Sequence, residues 1–124
     1  LSEKTNPTIL VVDDDVALQD LFRITFESCG YKVQTSSNGK EGMNQLRQNA
    51  AIDLLVTDLV MPEQEGLETI VGARREFPKL KILVVSGYGE YFKVAKLCGA
   101  YDCMLKPVEL NVLVSKVREL VERI

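Results

Sequence analysis

The chain has 124 residues, 46% hydrophobic and 27% charged, a composition that suits one soluble globular domain and argues against disorder. Fifteen basic and eighteen acidic residues leave a net charge of −3, so no broad basic field exists to attract nucleic acid. Apolar runs reach only four residues, too short for a membrane span, and the polar opening LSEKTNPT is not a signal peptide. Cys29, Cys98 and Cys103 are odd in number and lack C-x-x-C spacing, which disfavours a disulfide framework or zinc site and fits a reducing cytoplasm. Histidine is absent, which removes Ser-His-Asp and Cys-His catalysis and histidine metal sites.

In chain order, the first apolar run is Ile9 to Val12. A helical pattern follows, with Leu18, Leu21, Phe22, Phe26 and Cys29 on one stripe and Gly30 closing it. Tyr31 to Ser36 alternates apolar and polar residues and reads as a half-exposed edge strand. Asn38 to Gln48 forms a second, weaker helix with Met43 and Leu46 inward. Leu54 to Val56 is the next strand, and Leu67, Ile70 and Val71 begin a helix that must finish before Pro78. Ile82 to Val85 and Cys103 to Leu105 are further strands. Between them Tyr91, Val94, Ala95 and Cys98 mark a helix closed by Gly99. Leu110, Leu113, Val114, Val117, Val121 and Ile124 mark the last helix.

Continuous apolar runs indicate strands buried on both faces, as in a parallel sheet. Five β-α units in succession predict an α/β fold with helices on both faces, wound right-handed. Placing the alternating strand at an edge selects the order 2-1-3-4-5 of flavodoxin-like folds. The expectation is a single domain over residues 1–124, with a final apolar stripe that suggests a fragment of a longer chain.

Ligands in such sheets bind beyond the carboxyl ends of the strands. Asp13-Asp14-Asp15, Thr57-Asp58, Ser86-Gly87 and Lys106-Pro107 occupy those ends. Each has an ordinary explanation on its own. Aspartate is a favoured helix N-cap and a common turn residue, Ser-Gly starts many loops, and a lysine is usually just solvated. Their coincidence at four strand ends on one side of the sheet carries more weight. If Asp13, Asp14 and Asp58 converge, two charges about 4 Å apart repel by roughly 4 kcal/mol at an effective dielectric near 20. Lys106 alone would leave them under-compensated, whereas a hard divalent cation such as Mg²⁺ prefers carboxylate oxygen. A carboxylate beside such a cation suits phosphoryl transfer, with aspartate as nucleophile and with Lys106 and Ser86 stabilising the transferred oxygens.

The stretches ILVVDDD (9–15), LLVTDLVMPEQEG (54–66), ILVVSG (82–87) and GAYDCMLKP (99–107) together resemble a receiver domain of the bacterial two-component response regulators. The resemblance implies that Asp13 and Asp14 hold Mg²⁺ (or Mn²⁺), with the Val60 backbone carbonyl completing the site, and that Asp58 is the phosphoacceptor. It assigns Ser86 and Lys106 to the bound phosphoryl group and a cis peptide bond to Pro107. The implied donor is a phosphohistidine on a sensor histidine kinase or a histidine phosphotransfer protein, which agrees with a chain that has no histidine. Such a domain is a cytoplasmic signalling module rather than a conventional enzyme, catalysing only its own phosphorylation and dephosphorylation. Its signal leaves through the surface of helix 4, strand 5 and helix 5.

Three positions depart from the family pattern. Cys103 stands where many receivers carry Tyr or Phe, and Tyr101, two residues earlier, is a candidate substitute. Tyr88 and Val60 lie two residues beyond Ser86 and Asp58, where bulk would shield an aspartyl phosphate from water, so slow self-dephosphorylation is expected. Three other readings remain. A haloacid-dehalogenase-like phosphatase would use Asp13 as nucleophile and Asp15 as acid. A flavodoxin-like cofactor binder would need a phosphate-binding loop where this chain has three aspartates. A receiver-fold interaction module would no longer take phosphate.

Overall fold

The computed structural model describes residues 6–59 and 66–122. Five parallel strands, β1 (Thr8–Val12), β2 (Lys32–Ser36), β3 (Ile52–Thr57), β4 (Lys81–Ser86) and β5 (Asp102–Leu105), form one sheet in the order β2-β1-β3-β4-β5. Helices α1 (Val16–Glu27), α2 (Gly39–Gln48), α3 (Gly66–Glu76), α4 (Phe92–Cys98) and α5 (Leu110–Glu122) connect and flank them. The expected α/β topology is the one observed.

Alternation along each strand divides the core in two. Leu10, Val12, Leu55, Ile82 and Val84 face one way and pack with Met43, Leu46, Ile70, Ala73 and Ala95 of α2, α3 and α4. Ile9, Val11, Leu54, Val56, Leu83 and Val85 face the other way, against Phe22 and Phe26 of α1 and Leu113, Val117 and Leu120 of α5. The three inner strands are thus buried on both sides, which is why their sequences are continuously apolar. β5 departs from that expectation: it is an edge strand, only half-buried, and Leu105 is 57% exposed.

Four helices present their stripes differently from the sequence pattern. Leu21, Val71, Val94 and the Tyr91 turn before α4 are exposed, while Gln19, Thr69 and Leu120 are buried in the corresponding packing layers. Tyr91 belongs to a short 3-10 turn, Gly89–Tyr91, and α4 starts one residue later at Phe92. Ile124 lies outside the described residues. No helix among the described residues is long and apolar enough to cross a membrane.

Candidate phosphoacceptor site

Main-chain hydrogen bonds continue past the ends of the strands and bring the polar residues together. Asp58 N–H donates to the Val12 carbonyl (3.1 Å), Asp13 N–H to the Ser36 carbonyl (3.0 Å) and Lys106 N–H to the Ser86 carbonyl (2.9 Å). Because β1 pairs with β3 as Val12 with Thr57, the next residues, Asp13 and Asp58, emerge side by side. One carboxylate oxygen from each of Asp13, Asp14 and Asp58 lies within 4.8 Å of the others.

Lys106 Nζ bridges the two buried aspartates, at 2.9 Å from Asp13 Oδ2 and 2.9 Å from Asp58 Oδ2. The second oxygen of each is also engaged: Asp13 Oδ1 accepts from Asp15 N–H (2.9 Å) and Asp58 Oδ1 from Leu59 N–H (2.6 Å). Burial pushes the Asp13 carboxyl above its ordinary range, and the hydrogen bond from Lys106 offsets only part of that. For Lys106, burial works against the charge, but the hydrogen bonds it donates to Asp13 and Asp58 outweigh it and raise the ammonium pKa. Three carboxylates facing one lysine form an electrostatically strained cluster whose donors are all hard oxygens. That donor set fits Mg²⁺, which binds through few carboxylates and retains waters.

Ser86 is fully buried, and its Oγ accepts from Tyr88 N–H at 3.3 Å, leaving its own O–H to donate. The Lys106–Pro107 bond is cis, as the resemblance implied. Asp15, the third aspartate, caps α1 by accepting from Leu18 N–H at 3.2 Å and stands outside the carboxylate cluster, so it is not placed as a phosphatase acid. Val60, whose carbonyl was expected in the metal site, lies outside the described residues. Tyr101 does not substitute for an aromatic near Ser86. Its ring lies 5.7 Å from Lys81 Nζ, near the opposite ends of β4 and β5. Cys103 is half-buried with its Sγ 3.8 Å from the Phe92 carbonyl, and the Phe92 ring packs on the same apolar cluster. Burial raises the Cys103 thiol pKa, as befits a packing residue rather than a reactive one.

Two contributors were not singled out in the sequence. Gly66 opens α3 directly beneath the acceptor: its N–H donates to the Leu59 carbonyl at 2.8 Å, and a Cβ there would overlap the Asp58 carbonyl oxygen and Leu59 Cα. Gln19 is buried under the acidic loop, and its signal is a polar residue on the same helical face as Phe22 and Phe26. Beside the cluster, a groove of about 400 Å³ runs between α1 and the loop after β5, lined by Leu18, Leu21, Phe22, Lys106, Pro107 and Leu110.

The response regulator receiver domain family model matches residues 9–118. The chain belongs to that family. It is 33% identical to a probable transcriptional regulatory protein of Picosynechococcus, over 96% of this chain and 51% of that protein. It is 32% identical to the DNA-binding transcriptional regulator NtrC of Rhizobium meliloti, over 89% of this chain and 23% of that protein. This receiver therefore spans from about a quarter to about half the length of these curated relatives. Among solved structures, a CheY-like receiver domain protein from Methanospirillum hungatei superposes with a TM-score of 0.88 at 31% identity, covering 94% of both chains. The response regulator TrrA of Thermotoga maritima, solved with Mg²⁺ and BeF, gives 0.85 at 28% identity, covering 92% of this chain and 98% of that one. Membership of the family supports a phosphoacceptor role in signalling.

Proposed function

We propose that this receiver accepts a phosphoryl group on Asp58 from a phosphohistidine of a sensor histidine kinase or histidine phosphotransfer protein. The convergence of Asp13, Asp14 and Asp58 around the bridging Lys106 ammonium carries the reading. A carboxylate oxygen of Asp58 forms the new O–P bond while the P–N bond to the donor imidazole breaks, and the departing imidazole takes its proton from solvent. Asp13, Asp14 and Asp58, with the Val60 carbonyl, would hold Mg²⁺ or Mn²⁺, which when bound neutralises charge on the transferred oxygens. Lys106 moves from its carboxylate partners to a phosphoryl oxygen, and the Ser86 hydroxyl donates to another. The apolar groove between α1 and Pro107 offers the donor protein a surface next to Lys106.

Drawing Ser86 and Lys106 inward alters the loops that lead into α4 and α5. Leu97 (81% exposed), Leu105 and Val112 leave an apolar face on α4, β5 and α5 for a partner or tethered output domain. The module acts in the cytoplasm and, with a net charge of −3, does not itself bind nucleic acid. The acidic loop after β1 has no phosphate-cradling character, which disfavours the flavodoxin-like cofactor reading.

Intact-protein mass after incubation with Mg²⁺ and acetyl phosphate tests the reading. Wild type gains one phosphoryl group, whereas Asp58→Asn and Mg²⁺-free samples gain none. If no gain occurs in wild type, the phosphorylation-independent interaction module takes its place. Following the mass after the donor is removed checks the shielding role of Tyr88 and Val60: loss of the phosphoryl group within seconds would contradict it.

A further inference from the structure

We infer that Gln19 is a positioning residue that sets the metal affinity of the acidic loop, an inference that rests on the proposed Mg²⁺ site. Gln19 is 6% exposed, an unusual degree of burial for an amide on the inner face of a helix otherwise filled by Phe22 and Phe26. Its Nε2 lies 2.5 Å from the Asp13 carbonyl, 3.2 Å from the Ser36 carbonyl and 3.2 Å from Ser37 Oγ. One amide group thus ties the end of β1 to the end of β2 and the turn beyond it. Two N–H bonds serve three acceptors, so the group holds a three-way junction rather than a single contact.

The junction matters because of what lies next to it. Asp14 is exposed, and its carboxylate accepts no hydrogen bond from the described residues, yet it contributes an oxygen to the cluster. Its placement is therefore inherited from its main chain. On one side Asp13 is fixed through its carbonyl by Gln19 and through its N–H by Ser36. On the other side Asp15 is fixed as the N-cap of α1, with its N–H held by Asp13 Oδ1. Gln19 belongs to α1 as well, so the helix grips the loop at both of its ends. Removing the amide frees the Asp13–Asp14 peptide to rotate, and a cation would have to reorder it on binding. Residues that orient metal ligands in this way typically change affinity by about 10- to 100-fold when lost.

The test compares Mg²⁺ affinity, by isothermal titration calorimetry, for wild type, Gln19→Met and Phe22→Leu. Methionine keeps the unbranched shape and removes the donors, whereas Phe22→Leu loosens the same helix face and touches no donor. We expect Gln19→Met to weaken Mg²⁺ binding by about tenfold and Phe22→Leu to lower the melting temperature with Mg²⁺ affinity unchanged. In acetyl phosphate reactions, the Mg²⁺ concentration for half-maximal rate should rise in Gln19→Met while the rate at saturating Mg²⁺ is retained. Equal affinity in Gln19→Met and wild type, or an equal loss in Phe22→Leu, overturns the inference. Should Gln19→Met not fold, Gln19→Leu replaces it with the same expectation, since leucine also removes the donors without adding a charge beside the cluster. Absence of Mg²⁺ binding by wild type would instead defeat the proposed metal site itself.

Discussion

Asp13 and Asp102 are held by the same local chemistry and titrate in opposite directions. Each accepts a hydrogen bond from a nearby backbone N–H, Asp13 from Asp15 at 2.9 Å and Asp102 from Cys103 at 2.8 Å. Each also pairs with a lysine, Lys106 at 2.9 Å and Lys116 at 2.8 Å. What differs is the count of charges. Asp102 has a second lysine, Lys96, at 3.5 Å, so two ammonium groups reach its carboxylate, with Glu119 sharing Lys116 at 3.5 Å, and tie edge strand β5 to α4 and α5. Burial opposes its ionisation, but the Lys116 hydrogen bond, the Cys103 N–H and the Lys96 charge prevail and hold its pKa below the ordinary value. Asp13 is more deeply buried and shares Lys106, its one lysine partner among the described residues, with Asp58, so burial wins and its pKa rises. A satisfied cluster fastens structure. A cluster short of positive charge is prepared for a cation or a transferred group.

Lys106→Met breaks the contrast most severely. It removes the bridging charge from two buried carboxylates and should cost about 2 kcal/mol in metal-free protein, less than a fully buried pair because the lysine is partly exposed. Urea denaturation in EDTA and in Mg²⁺ checks this: Mg²⁺ should recover part of the loss. A variant as stable as wild type in EDTA would mean that Lys106 does not compensate the cluster.

The same substitution at the two aspartates should have opposite signs. Asp13→Asn relieves an ionised carboxylate that the fold disfavours and should stabilise metal-free protein by about 1 kcal/mol, while abolishing the stabilisation by Mg²⁺. Asp102→Asn should destabilise by about 0.5 kcal/mol, because its ion pairs are partly solvated. Thermal melts of both variants at pH 7 in EDTA decide the matter, and shifts of the same sign would contradict the charge-count account.

Much of the acidic cluster was legible in the sequence, because it depends on residues at strand ends. The runs at Ile9–Val12, Leu54–Val56 and Ile82–Val85 are apolar since both faces of those strands are covered, and the chain turns polar where they emerge. Asp13, Asp14, Asp58, Ser86 and Lys106 could be located on that basis. The supports of the site could not, since each depends on how closely the folded chain turns back on itself. Nothing local to Gly66 announces that the Asp58 carbonyl occupies the space of its missing Cβ. Gln19 breaks an apolar pattern, but only the fold brings the ends of β1 and β2 within reach of its amide. The helical stripes failed at their margins. Leu21 and Val94 lie beside, not on, the narrow strip that each helix buries, so apolar character alone overestimates their burial. Asp102 passed unnoticed because its lysines come from two other elements, α4 and α5.

The smallest expected effect is in the pH dependence of stability, and it separates the two aspartates without relying on the size of any single mutant shift. Asp102, with a folded pKa below 3.8, adds stability that is present above 3.8 and lost as pH falls through its folded value. That contribution is already complete at mildly acidic pH. Asp13, with a folded pKa above 3.8, behaves in reverse: the folded state binds its proton more tightly, so stability is lost as pH rises from 3.8 through the folded value. Lys106 stays charged throughout, since its raised pKa moves its own loss of stability further into the alkaline range. In EDTA, the stability of wild type relative to Asp13→Asn should therefore fall as pH rises above about 4 and level off once the folded pKa of Asp13 is passed, whereas the same comparison for Asp102→Asn should be flat over that rise. Urea midpoints every half pH unit resolve the difference. A flat Asp13 difference curve would show that burial does not disfavour its charge, and with that the strained cluster would lose its physical basis.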